Sequence, residues 1–174
     1  MKDSRSATVH WALYQERRKR ANPHASFYTV GSQRLSSLAH PLAPCFIADC
    51  SGAFTSYYVW AGARNPNSGP PDYTGTLIAG GKEVALDEVR VGDAVIYFDG
   101  PNFTPSTGSH VAIIVEVHAD PLTVSFGWQG EPGFCRVSQD GRAHKYYTYN
   151  TMTRKVTYPP GVKKRTPITL PSPA

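Results

Sequence analysis

The chain is poor in cysteine and has no long apolar run. Three cysteines, Cys45, Cys50 and Cys135, occur in 174 residues. An odd number cannot all pair within one chain, and no C-x-x-C spacing is present, so neither a disulfide framework nor a zinc knuckle is encoded. His40, Cys45 and Cys50 are evenly spaced but lack a fourth ligand, so no metal and no other cofactor is expected. No stretch reaches the ~20 apolar residues that a bilayer crossing needs, and no membrane insertion is expected. The segment from Met1 to Arg5 runs into polar sequence without the apolar centre of a signal peptide. Charge is also modest: 18% of residues are charged against 40% hydrophobic. That balance excludes wholesale disorder and allows one packed domain of ordinary size.

The formal charge of +5 invites a nucleic-acid reading, which its distribution weakens. Residues 1–20 hold six Lys/Arg and two acids; residues 151–174 hold five Lys/Arg and no acid. The stretch between them holds seven Lys/Arg and eleven acids, a net of −4. A phosphate-binding groove needs its cations on the folded body. Here they sit at the ends, without interleaved aromatics, so no specific nucleic-acid partner is expected.

The patterning predicts helices first and strands after, an α+β domain. A helix is expected from Ser6 to about Arg20, closed by a run of cations that complements its negative end. Residues 21–48, with three prolines, read as an irregular loop. Cys50, Ala53, Phe54, Tyr57 and Ala61 then repeat at helical spacing, and Gly62 is placed to stop that helix. A short helical turn follows at Thr76–Ala79. Strands are expected at Ala94–Phe98, Val111–Val117 and Leu122–Trp128, with shorter ones at Phe134–Val137 and Lys145–Tyr149. Residues 159–174 hold five of the fifteen prolines and no periodicity. They read as a basic, disordered tail or linker behind a domain of residues 1–158.

The chemistry points to Cys50. It opens the patterned helix, where free backbone N–H groups and the positive dipole end favour a thiolate nucleophile. Its neighbours Asp49, Ser51 and Gly52 are polar or small, unlike those of an inert core thiol. A cysteine nucleophile needs a base near in space, and His110 stands at the entrance of a strand that pins its backbone. A third group should orient the imidazole. If residues 118–121 form the hairpin loop, Val117 faces Leu122 and Gln129 lies opposite His110. Other registers bring Trp128 or Phe126 there instead.

Three blocks in this order carry a resemblance: Asp49-Cys50-Ser51-Gly52-Ala53-Phe54, then Val91-Gly92-Asp93-Ala94-Val95-Ile96-Tyr97-Phe98, then Ser109-His110-Val111-Ala112-Ile113-Ile114. They resemble the NlpC/p-sixty family, papain-like cysteine peptidases of bacterial peptidoglycan. Tyr73–Leu77 and Asp120–Ser125 further resemble peptidase domains of actinobacteriophage endolysins. The resemblance runs from about residue 49 to 133, roughly half the chain.

It implies a papain-like fold in which the helix of Cys50 packs on an antiparallel sheet carrying His110. It implies hydrolysis of an amide bond in the peptidoglycan stem peptide, with Cys50, His110 and Gln129 as the catalytic set. Asp49 and Ser51 would line the pocket for the substrate's amino side, and the Cys50 N–H would help hold the oxyanion. Trp60 and Trp128 are candidates for wall-contacting aromatics, with core packing the expected role of each. The partner would be peptidoglycan, with other phage lysis or tail proteins beside it. The protein would wait in the host cytoplasm for a holin lesion, or travel in the virion. One departure stands out: related phage sequences place a histidine where this chain has Phe126. That leaves a further reading, a non-catalytic wall-binding or tail-associated domain of the same fold; an amidase cutting between sugar and peptide would share the same Cys and His and is a third reading.

Overall fold

A computed structural model describes residues 1–127 and 131–170. Helix α1 (Arg5–Ala21) is followed by a parallel pair of short strands, β2 (Ser26–Tyr28) and β3 (Phe46–Ala48). Next come α2 (Cys50–Ala61) and α3 (Thr74–Gly80). The main sheet uses β4 (Lys82–Val84), β5 (Ala94–Phe98), β6 (Gly108–Glu116), β7 (Leu122–Gly127), β8 (Glu131–Arg136) and β9 (His144–Thr148). Its six strands run antiparallel in the order β4-β9-β5-β6-β7-β8. A short helix α4 (Val137–Asp140) lies between β8 and β9, and the chain's first and last strands, β1 (Lys2–Asp3) and β10 (Met152–Thr153), pair with each other. The expected α+β architecture, helices on an antiparallel sheet, is the one observed.

Helix α2 is buried at every residue except Val59. The Asp49 side chain caps its start by accepting from the Gly52 N–H at 2.7 Å, satisfying one of the free donors of the first turn. Gly62 ends it in the left-handed region at φ 99°. A Cβ there would also meet the Lys155 carbonyl oxygen, so this stop needs glycine twice over. Trp60 is in the core, with its ring 5.3 Å from that of Trp11 and 5.2 Å from that of Phe46. Trp128 lies outside the described residues.

The strands of the sheet centre are apolar on both sides. Ala94, Ile96 and Phe98 of β5 and Val111, Ile113 and Val115 of β6 join the larger core with α1 and α2. Val95, Tyr97, Ala112 and Ile114 join a second, smaller core with Val89, Val137 and Tyr146. Alternation along each strand assigns these sides.

The β6–β7 hairpin departs from the expected register. Ile113 pairs with Val124 and Ile114 with Thr123, while an irregularity sets Glu116 against Leu122. Val117 therefore belongs to the loop, where it is exposed. A bulge inserts one residue without a partner, and sequence spacing carries no mark of it. The C-terminal segment also departs from expectation. Residues 159–170 form neither helix nor strand, yet they are seated on the domain rather than free of it. Trp11 Nε1 donates to the Thr157 carbonyl at 3.0 Å, and His10 Nε2 to the Thr166 carbonyl at 3.0 Å. Tyr158, Ile168 and Leu170 pack against the larger core. Widely spaced apolar residues in a proline-rich stretch have no period to read, yet each has a seat.

A buried ion pair ties α1 to the sheet. Arg5 Nη1 lies 2.6 Å from Asp93 Oδ1, and Asp93 is fully buried. Asp93 also accepts from the Thr148 hydroxyl and the Arg90 N–H. Replacing one partner leaves a buried charge alone, which costs about 3–5 kcal/mol. Asp93→Ala is therefore expected to lose about that much stability in urea unfolding, and a variant with an unchanged midpoint would remove the pair from its tying role.

Candidate active site

Cys50 is the first residue of α2, as the sequence predicts, but its thiol is nearly enclosed at 7% exposure. Val111, Ser51 and Thr74 surround the sulfur and favour its charged form. The Tyr28 hydroxyl stands beside Cys50. Tyr28 is held against Phe126, ring on ring at 5.7 Å. The space between Cys50, Ala53, Val111, Val124 and Phe126 is apolar and too tight for a water molecule.

Burial sets the thiol's acidity. Desolvation pushes the Cys50 thiol up, and the Asp49 charge adds to it, against the hydrogen bonds from Val111, Ser51 and Thr74. The expected lowering at a helix start is overridden here because a buried thiolate loses its water. Tyr28 is pushed up to about 12, first by desolvation and then by Cys50 and Asp49.

Asp49 and Ser51 stand together beside the thiol, joined by a residue that the sequence does not single out. Arg34 Nε lies 2.7 Å from Asp49 Oδ2, and its Nη2 donates to Ser51 Oγ at 3.0 Å. The same guanidinium donates to the carbonyls of Pro71 and Asp72. Arg34 thus fastens the 71–72 turn to the start of α2. Tyr28 and Arg34 both come from the stretch read as irregular loop, where no period flags them.

His110 is placed elsewhere. Val111 faces Cys50, so its neighbour His110 is turned to the other side of β6. There His110 pairs across the strands with Tyr97, ring stacked on ring at 5.7 Å and 21°. Its Nε2 lies 2.7 Å from Ser125 Oγ. Arg142 covers Tyr97 at 5.3 Å, donates to Ser109 Oγ at 3.0 Å, and is paired with Asp140 at 2.7 Å. Desolvation first, then the Arg142 charge, pushes His110 down to about 4. Its ring is neutral at pH 7.

The expected set is therefore divided. Asp49, Cys50 and Ser51 are adjacent, while the His110 imidazole lies on the far side of the sheet. Gln129 falls outside the described residues, and the group that reaches His110 is Ser125. Phe126 occupies the near side, against Tyr28 and Phe46. Cys45, Cys50 and Cys135 are all free thiols. No cluster able to hold a metal ion occurs among the described residues, and no described helix is long and apolar enough to cross a membrane.

Two measurements check these assignments. Iodoacetamide at pH 7.5 is expected to label the half-buried Cys45 well before Cys50, followed by peptide mass spectrometry; equal rates would contradict the enclosed thiol. His110 has an ordinary value of 6.5 and a folded value near 4. Between these the unfolded chain binds more protons, so stability is expected to fall as pH drops through that window. His110→Gln should flatten this slope in urea unfolding at a series of pH values; an unchanged slope would place the ring in water.

No protein-family model and no curated protein matches the chain. Among solved structures it is similar to a protein of Staphylococcus aureus subsp. aureus Mu50 described as similar to lipoprotein, NLP/P60 family. The TM-score is 0.52 at 18% identity, with 84% of this chain and 42% of that one covered. This chain thus spans less than half of that protein, and at this identity the likeness is one of fold. The helices and antiparallel sheet described above are arranged in an NLP/P60-like fold.

Proposed function

We propose that the chain is a peptidoglycan hydrolase that cleaves a stem-peptide amide bond with Cys50 as nucleophile. The observation that carries this reading is the position of Cys50, at the start of a buried helix in an NLP/P60-like fold. In this reading the Cys50 thiol gives its proton to the neutral His110 imidazole as Sγ attacks the carbonyl carbon, and charge builds on the oxygen beside the Cys50 N–H and the Tyr28 hydroxyl. The C–N bond then breaks, and the leaving amine takes a proton from the imidazolium of His110. Water attacks the resulting thioester and gives one proton to the imidazole, which passes it to the leaving sulfur, so that the acid and the thiol are freed. The setting we infer is a phage lysis protein, or a wall-piercing module of a virion working beside other tail proteins.

For this chemistry His110 must change sides. Phe98 pairs with Gly108 and Tyr97 with His110, so Ser109 is the extra residue of a bulge. Moving that bulge by one residue makes His110 the extra residue and allows its ring to be re-aimed to the side of Val111 and Cys50. The cost is the Ser125 hydrogen bond and the stack on Tyr97, on the order of 1–3 kcal/mol together.

A second reading is favoured by the placement of His110 and by the near side's Phe126. The chain would then be a wall-binding or tail-associated domain that keeps the fold without the reaction. One experiment separates them. Wild type, Cys50→Ala and His110→Ala are incubated with mycolata-type and Gram-negative peptidoglycan, and released amines are measured. The hydrolase reading expects release by wild type and a loss of at least about 100-fold in both variants. Equal background release by all three would leave the non-catalytic domain. Fragment masses distinguish a stem-peptide cut from an amidase cut.

A further inference from the structure

The two basic ends of the chain meet around one cleft. β1 pairs with β10, with Lys2 opposite Thr153. This brings Lys2 beside Arg154, Lys155 and Lys164, which line an open cleft of about 540 Å³. All four cations are exposed, and none is paired with an acid among the described residues. The single acid of the lining, Asp3, is already engaged by the Thr151 hydroxyl at 2.6 Å and the Arg5 N–H at 2.9 Å. Val156 and the half-buried Tyr158 add an apolar wall. Four cations against one carboxylate leave the concave site net positive, and positive potential attracts most strongly in such a site.

The cleft is also separate from the thiol. The Thr153 hydroxyl donates to the Gly62 carbonyl at 2.6 Å, so β10 and the residues after it border the end of α2. Cys50 is at the other end of that helix, roughly 18 Å away at 1.5 Å per residue. A ligand in the cleft leaves Cys50 uncovered.

The geometry points to a phosphate-binding site for a linear polyol-phosphate polymer of the bacterial wall, held in this cleft by Lys2, Arg154, Lys155 and Lys164. This occupant rests on the peptidoglycan reading. Four cations from two separate segments of the chain line the cleft, more charge than one phosphate needs, which suits a repeating anion better than a single ion. The one aromatic ring of the lining leans on His10 at 6.0 Å, which offers a wall for a polyol and no stacking platform for bases.

The test uses the full chain and a fluorescent poly(glycerol phosphate) oligomer, titrated from 50 to 200 mM NaCl. Four phosphate contacts predict a loss of affinity of about 50-fold over that range. Lys155→Ser/Lys164→Ser should weaken binding and reduce the loss to about 7-fold, with an unchanged melting temperature and unchanged Cys50-dependent cleavage of a soluble stem peptide. The inference is overturned by absence of binding at 50 mM, by a variant that binds like wild type, or by tighter binding of single-stranded DNA of equal charge. Polymer binding without any peptide cleavage would sink the hydrolase reading and leave the cleft's assignment intact.

Discussion

Strand β6 is covered on both faces, and a strand in that position has only one register that satisfies both. Sliding it by one residue would put Ala112 and Ile114 against α2, and Val111, Ile113 and Val115 against the smaller core. The sheet, the two cores and the seat of α2 all depend on this choice. So does the site: the same alternation that presses Val111 onto Cys50 sends His110 to Tyr97. Residues adjacent in sequence end in different surroundings, one apolar and dry, the other polar and closed by the Asp140–Arg142 pair.

What the sequence makes legible follows from periods and caps. Helix α2 has its apolar repeat and a terminal glycine, and both appear where the residues place them; the Asp49 cap is added by the structure. Strand β5 is equally plain, because an apolar run after Gly92-Asp93 has no competing reading. The site is less legible because it depends on register. A strand residue changes faces with a shift of one position, and bulges at Ser109 and near Val115 leave no trace in composition. Gln129 could be set opposite His110 only by assuming a regular hairpin; the irregularity before Glu116 shifts that register, and the side chain that reaches the His110 ring is Ser125.

Tyr28 and Arg34 were hidden for a different reason. They belong to a stretch held by long-range bonds, the parallel pairing of β2 with β3 and the grip of Arg34 on Asp49, Ser51 and the 71–72 turn. None of these contacts is local, so no local pattern announces them. The thiol's acidity belongs to the same class. A helix start favours the thiolate only while water or a charge partner can solvate it, and the enclosure around Cys50 comes from Tyr28, Thr74 and Val111, residues far apart in the chain.

Gly62 ties two parts of the molecule that otherwise have little in common. Its backbone stops the helix that begins at Cys50, and its missing side chain leaves room for the Lys155 carbonyl, next to the cationic cleft. A bulkier residue would disturb both at once: the helix would lose its stop and the basic segment its seat. Drift at this one position is therefore constrained from both ends of α2. The length of the helix and the placement of the positive charge must vary together or not at all.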